Sequence, residues 1–133
     1  MLVKTSNNIQ GVAAANDGLA NAVVVALKAH KLKPIALSGQ DATEQGVQNI
    51  ISGWQTMTVW KDTRVLATKS ALAAIALAKG KQPISNTTVK NGAKNLPAYI
   101  IPPVSITKGN YKQLFNGYLK RSDVCVGEYK KYC

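Results

Sequence analysis

The chain has 133 residues, about one domain, and 46% of them are hydrophobic, so it can bury a core and is neither disordered nor fibrous. The 17 Lys and Arg outnumber the 6 Asp and Glu, and the net charge of +11 raises nucleic acid, an anionic membrane or an acidic protein as partners. The basic residues are scattered rather than clustered in a run, which favours a solvated basic surface over nucleic-acid binding.

The sequence contains no membrane span, because no apolar stretch approaches the roughly 20 residues that a bilayer core needs. The first residues, Met1 to Lys4, also lack the apolar block of a signal peptide. We therefore expect either a cytosolic protein or a chain whose natural N-terminus lies elsewhere.

The first elements are two successive units of strand, turn and helix. Gly11 to Ala15 is a short apolar strand that stops at a turn. After the turn, apolar residues recur at the spacing of one helical face: Leu19, Ala22, Val23, Ala26 and Leu27. A second strand at Ile35 to Leu37 is followed by a turn and by a helix around Val47 to Ile51. Two such units predict an α/β fold with a parallel sheet.

A third strand and a third helix follow. Gln55 to Trp60 is rich in β-branched and aromatic residues, and Asp62 can cap a helix that runs to Lys79 and stops at Gly80. This helix is rich in Ala and apolar on most sides. We expect it to be buried between other elements.

The composition changes to Pro, Asn, Thr and Lys from Gln82 onward. A hairpin is indicated around Thr87 to Gly92, and Tyr99 to Thr107, which contains two prolines, resembles an edge or crossing strand. Asn110 to Tyr118 predicts a last short helix before the C-terminal tail.

Cys125 and Cys133, the only cysteines, lie in that polar tail. They lack the CxxC spacing and the His partners of a zinc or redox site. A disulfide that closes a small terminal loop is favoured over two reduced thiols, and it would indicate an oxidising compartment.

Polar side chains directly follow the three predicted parallel strands: Asn16, Asp41 and Lys61. In a parallel sheet, ligands bind beyond the carboxyl ends of the strands. An amide, a carboxylate and an ammonium donate and accept hydrogen bonds without supplying a nucleophile. This combination suits a neutral ligand with many hydroxyl groups, such as a sugar.

Each of these residues also has a purely structural alternative. Asn16 could be a helix N-cap and nothing more, and Asp41 with Glu44 fits a variant of the capping box. Lys61 could be an exposed lysine at the end of a strand. Trp54 and Trp60 are expected to pack in the core or at an interface rather than against a sugar, because strand alternation points Trp60 away from Lys61.

Four segments carry a family resemblance: Ala13 to Gly18 (AAANDG), Ser38 to Ala42 (SGQDA), Gln55 to Lys61 (QTMTVWK) and Ile106 to Asn110 (ITKGN). In wording, order and spacing they resemble the sugar-binding proteins of ATP-driven (ABC) importers, of the ribose, galactose and xylose type and most closely the xylose-binding members. The resemblance covers nearly the whole chain from Gly11 onward.

The resemblance implies a lobe of the type I periplasmic-binding-protein fold, with three αβα layers and an incomplete sheet, taken from the carboxyl-terminal portion of a two-lobed protein. Residues 1–61 and 97–133 would be elements of the second lobe. Residues 62–96 would cross the hinge and pack on the first lobe, which is missing from this chain. Trp60 stands where the family often has tyrosine, and Asp62 where proline is frequent.

The resemblance also implies the function. Asn16, Asp41 and Lys61 would contact a monosaccharide, xylose or a similar aldose, which an exported periplasmic receptor delivers to a membrane permease without chemistry, cofactor or metal. The fragment would bind sugar weakly, or would pair with itself or with the missing lobe. The alternatives are a sugar-sensing effector domain of a transcription repressor and a free-standing basic interaction module.

Overall fold

The computed structural model describes Ser6 and residues 8–133, and the chain divides into two compact units. The first unit comprises the chain up to Trp60 together with Val104–Cys133, and the second comprises Lys61–Pro103. The division into lobe elements at residues 61 and 97 refers to a longer protein and stays a prediction.

The first unit contains the parallel strands. β1 (Gly11–Val12) pairs in parallel with β2 (Ala36–Leu37). The segment through β3 (Thr58–Trp60) continues this arrangement, because Thr56 N–H donates to the Leu37 carbonyl and Asp41 N–H donates to the Val59 carbonyl. Residue numbers rise together along both segments, so they run parallel. The predicted α/β class with parallel strands is confirmed.

These strands are shorter than the sequence predicts. Only Gly11–Val12 of the first apolar run and only Thr58–Trp60 of the third run pair as strands. Gln55 leaves the ladder because its N–H donates to the Asn49 carbonyl and its side chain turns to Asp17. On its other side, β3 pairs antiparallel with β6 (Val104–Ile106).

Two helices pack on these strands. α1 (Asp17–Ala29) buries Ala20, Val24 and Leu27, which recur at three- and four-residue spacing, and ends before Pro34. The face predicted from the sequence is wrong apart from Leu27, because burial follows the residues that face the strands and α2, and Leu19 is exposed. α2 (Glu44–Ile51) carries Val47 and Ile51 into the main apolar cluster, whose other buried members are Ala42, Ile106, Tyr111, Leu114 and Val124.

The C-terminal segment lies against the same cluster. A 3₁₀ helix at Tyr111–Phe115 replaces the predicted helix, and α4 (Arg121–Val124) and a second 3₁₀ helix at Gly127–Tyr132 follow it. Cys125 and Cys133 are joined by a disulfide and pack against the cluster.

The second unit consists of α3 (Thr63–Ala78) and a hairpin of β4 (Thr87–Asn91) with β5 (Lys94–Ala98). Asp62 caps α3 as predicted, its carboxylate accepting from Arg64 N–H. The hairpin turn contains Gly92 at a φ of 62°, which glycine adopts without steric cost.

Two expectations for this region are wrong. None of the residues of α3 is buried, so the helix is not enclosed by other elements of the described chain. The predicted strand from Tyr99 to Thr107 narrows to Val104–Ile106, because Pro102 and Pro103 have no N–H to donate to a ladder. In the described part of the chain, no helix has the length and apolar character to cross a membrane.

Candidate functional site

Asn16 lies just beyond β1, where it caps α1. Its Oδ1 accepts a hydrogen bond from Leu19 N–H at 2.9 Å, so the helix-cap alternative is correct for this atom. Asn16 is half-buried, and none of the residues that the structure describes accepts a hydrogen bond from its Nδ2. The amide can therefore cap the helix and still donate to a ligand.

Asp41 lies beyond β2 and is exposed, on a turn with unusual backbone geometry. Its φ is 101° and that of Ala42 is 51°, so two successive non-glycine residues lie in the left-handed region. The capping-box alternative for Asp41 is wrong, because Thr43 caps α2: its Oγ1 accepts from Gly46 N–H at 3.0 Å.

Backbone hydrogen bonds tie the ends of the three parallel segments together. Asp17 N–H, one residue after Asn16, donates to the carbonyl of Gln40 at 2.9 Å. Asp41 N–H donates to the carbonyl of Val59 at 2.8 Å. The turns that carry Asn16 and Asp41 are thus joined to each other, and the second of them is joined to β3.

Lys61 follows Trp60, the last residue of β3, and is half-buried. It is also the first residue of the second unit. The chain leaves the first unit at the carboxyl end of β3, directly before this lysine.

Asp17 is a residue whose importance the sequence pattern did not reveal. The residue is 1% exposed. Oδ2 accepts from Thr43 N–H at 2.9 Å and from Thr43 Oγ1 at 3.2 Å, and Oδ1 accepts from Gln55 Nε2 at 2.8 Å. An Asn-Asp-Gly sequence indicates a turn and a cap, but not a carboxylate buried under the neighbouring loop.

The two tryptophans contact other side chains. The ring centroids of Trp60 and Tyr118 are 5.3 Å apart, and Trp60 packs against the main apolar cluster. The Lys28 ammonium lies 5.0 Å from the Trp54 ring centroid, within the range of a cation–π contact. Both rings therefore have packing partners in the first unit.

The predicted site residues can donate and accept hydrogen bonds. An amide and a carboxylate lie on joined turns, and an ammonium follows the next strand. Such groups recognise hydroxyl-bearing molecules. Within Ser6 and residues 8–133, no three His, Cys, Asp or Glu side chains are grouped as metal ligands.

The sequence is similar to proteins whose names describe sugar binding. Residues 1–82 match the family described as periplasmic binding protein domain. The D-xylose-binding periplasmic protein of Escherichia coli (strain K12) is 37% identical over 126 residues, which are 92% of this chain and 38% of the relative. The protein of the same name from Haemophilus influenzae is 39% identical over 113 residues, or 84% and 34% of the two chains.

Solved structures show the same fold. A carbohydrate transporter solute-binding protein from Chloroflexus aurantiacus, in complex with D-glucose, superimposes with a TM-score of 0.74 at 39% identity, over 85% of this chain and 34% of the other. This chain thus spans a little over a third of the length of these relatives. With the family match over more than half of its residues, the chain belongs to the periplasmic binding protein family and has part of its type I fold.

Proposed function

We propose that this chain is the carboxyl-terminal portion of a sugar receptor that supplies an ABC importer, with xylose or a similar aldose as the ligand. The observation that carries the proposal is the joining of the Asn16 and Asp41 turns at the carboxyl ends of parallel strands. The names of the relatives, which bind D-xylose or D-glucose, support the choice of ligand.

Each of the three polar residues has a distinct role in this proposal. The Asp41 carboxylate accepts from two adjacent sugar hydroxyls, the Asn16 Nδ2 donates to a third oxygen, and the Lys61 ammonium donates to a ring or hydroxyl oxygen. None of these steps forms or breaks a covalent bond. The function is therefore recognition, and not catalysis.

The receptor works by a shift between two populations, one with the two lobes apart and one with the lobes closed around the sugar. Sugar contacts from both lobes favour the closed state, and the closed receptor then presents the sugar to the membrane permease. The disulfide between Cys125 and Cys133 supports an extracytoplasmic location, because disulfides persist in oxidising compartments.

Exposed apolar surface on each of the two units supports the proposal that further polypeptide covers this chain. In the first unit, an open groove of about 640 Å³ is lined by Val12 of β1, by Leu19 and Val23 of α1, and by Ile35 directly before β2. In the second unit, Leu72, Ile75 and Leu77 of α3 are half or more exposed. Since the aligned residues are only 38% of the E. coli relative, we infer that the rest of the receptor fold covers these surfaces.

Binding is tested by NMR titration of the chain with D-xylose and with D-glucose, because this method detects weak complexes. We expect saturable shifts near Asn16 and Asp41. Asp41→Ala should lose about 1.5–3 kcal/mol of binding free energy, since charged hydrogen bonds have that strength. Glu44→Gln is the matched control, because it removes an exposed carboxylate three residues away. Equal affinity of Asp41→Ala and the unmodified chain would overturn the site.

Assembly is tested by sedimentation of the chain alone and with the remaining two-thirds of the E. coli relative. A complex that Leu72→Gln with Leu77→Gln weakens supports coverage by the rest of the fold. A homodimer that the same substitutions dissociate contradicts it in favour of self-association. If the chain stays monomeric and does not bind the portion of the E. coli relative, both coverage by the rest of the fold and self-association are contradicted.

A further inference from the structure

The buried carboxylate of Asp17 connects the two turns of the candidate site. It belongs to the first residue of α1, directly after Asn16, and it accepts two hydrogen bonds from Thr43, two residues after Asp41. A third hydrogen bond comes from Gln55 Nε2. All three donors point to one carboxylate, and the residue that carries it is 1% exposed, so Asp17 itself cannot touch a ligand in this conformation.

The backbone around this carboxylate leaves no room for a side chain. A Cβ added to Gly39 would lie 2.2 Å from Asp17 Oδ1, and a Cβ added to Gly46 would lie 2.2 Å from Asp17 Oδ2. Gly39 precedes the Asp41 turn and Gly46 lies in the first turn of α2. The carboxylate is therefore packed directly against the backbone on both sides of Asp41.

The turn between these glycines is strained. Left-handed φ values of 101° at Asp41 and 51° at Ala42 persist only where the surrounding structure compels them. The restraints are Asp41 N–H to the Val59 carbonyl, Ala42 N–H to Thr58 Oγ1 at 3.2 Å, and Thr43 N–H to Asp17. Asp17 thus supplies the restraint on the α2 side of the strained pair.

From this geometry we infer that Asp17 is a positioning residue for sugar binding: it holds residues 41–43 in the conformation that presents the Asp41 carboxylate to the ligand. The inference rests on the proposed function. Because Asp17 also begins α1 beside Asn16, it keeps the two sugar-binding side chains at a constant separation.

The test is Asp17→Asn, which keeps the size of the side chain but replaces an acceptor with an NH₂ donor. At least one of the present donors then faces another donor. We expect sugar affinity to fall about 10- to 100-fold, the loss typical of a hydrogen bond to a charged group. The amide-to-Hα couplings and ¹³C shifts of Asp41 and Ala42 should move away from left-handed values in the free protein.

Leu27→Ala separates positioning from simple loss of stability. Leu27 is buried on the same helix, about 15 Å from Asp17 along its axis. This control should lower stability and leave both the sugar affinity of the folded protein and the couplings at Asp41 and Ala42 unchanged.

A second pair of variants covers the case in which Asp17→Asn fails to fold. Thr43→Val removes the hydroxyl contact to Asp17 together with the cap of α2, whereas Thr43→Ser keeps both. We expect weaker sugar binding and altered couplings for Thr43→Val only. Wild-type affinity in Asp17→Asn, or lost affinity with unchanged couplings, overturns the positioning role alone. A chain that binds neither sugar overturns the proposed function and the positioning role together.

Discussion

The hydroxyl oxygen of Thr58 accepts a hydrogen bond from the backbone N–H of Ala42 at 3.2 Å, and both residues are fully buried. The contact joins the first residue of β3 to the left-handed turn at Asp41 and Ala42. The threonine hydroxyl therefore accepts the hydrogen bond that a carbonyl of a neighbouring strand would otherwise accept.

We expect Thr58→Val to lower the free energy of unfolding by about 1–3 kcal/mol, because it leaves a buried N–H without an acceptor. Thr58→Ser keeps the hydroxyl and should lose less of this free energy. Urea unfolding of the two variants measures the difference. Equal stabilities of the valine and serine variants would show that the Ala42 N–H finds another acceptor.

Of the two glycines beside Asp17, Gly46 has less room for an added methyl group than Gly39, since its Cβ would also lie 3.0 Å from the Cβ of Asp17. We expect Gly46→Ala and Gly39→Ala to lower the free energy of unfolding by about 1–3 kcal/mol each, with the larger loss at Gly46. Gly109→Ala is the control, because its nearest neighbour is Thr107 Oγ1 at 3.7 Å. A Gly46→Ala variant as stable as Gly109→Ala would falsify the close packing around Asp17.

The disulfide between Cys125 and Cys133 closes a loop of sequence separation 8. Because the disulfide lowers the conformational entropy of the unfolded chain, we expect Cys125→Ser with Cys133→Ser to lower the free energy of unfolding by about 2–3 kcal/mol. Thermal unfolding with and without reductant measures the effect. Reductant should lower the Tm of the parent chain and leave the double variant unchanged, and a parent chain insensitive to reductant contradicts the prediction.

Asp62 makes the stability of the second unit dependent on pH. The Arg64 side chain donates to its carboxylate from Nε at 2.9 Å and from Nη2 at 2.7 Å, and these contacts hold the pKa of Asp62 below its ordinary value of 3.8. A lowered folded-state pKa stabilises the folded chain above pH 3.8, and this stabilisation is lost as the pH falls through the lowered value.

We therefore expect Asp62→Asn to be less stable than the parent at neutral pH and to approach it as the pH falls below 3.8 and through the lowered pKa. A series of thermal unfolding curves from neutral to acid pH, followed by circular dichroism, checks this. Thr63→Ser, at the exposed first residue of α3, serves as a control that keeps the ion pair. A stability gap that grows as the pH falls has the opposite sign and would contradict the assigned partner.

Local patterns in the sequence determined the order of the elements. The period of the apolar residues predicted that helix α1 exists, and Asp62 was identified as the cap of α3 because an N-cap depends on residues close in the chain. The period did not identify the buried face of α1, since Leu27 alone of the predicted face is buried and Leu19 is exposed. The same patterns predicted turns at Asn16 and Asp41, since strand ends are punctuated by turn residues. Their distance from the strands was predicted too short, because β1 already ends at Val12 and β2 at Leu37.

Only the tertiary structure decided which groups meet across the chain. The contacts of Asp17 with Thr43 and Gln55 span 26 and 38 residues, and no local period encodes such distances. The exposure of α3 likewise depends on what packs against it rather than on its own apolar composition. Sequence periodicity reports which side chains avoid water, whereas a buried polar network depends on the register in which distant turns come together.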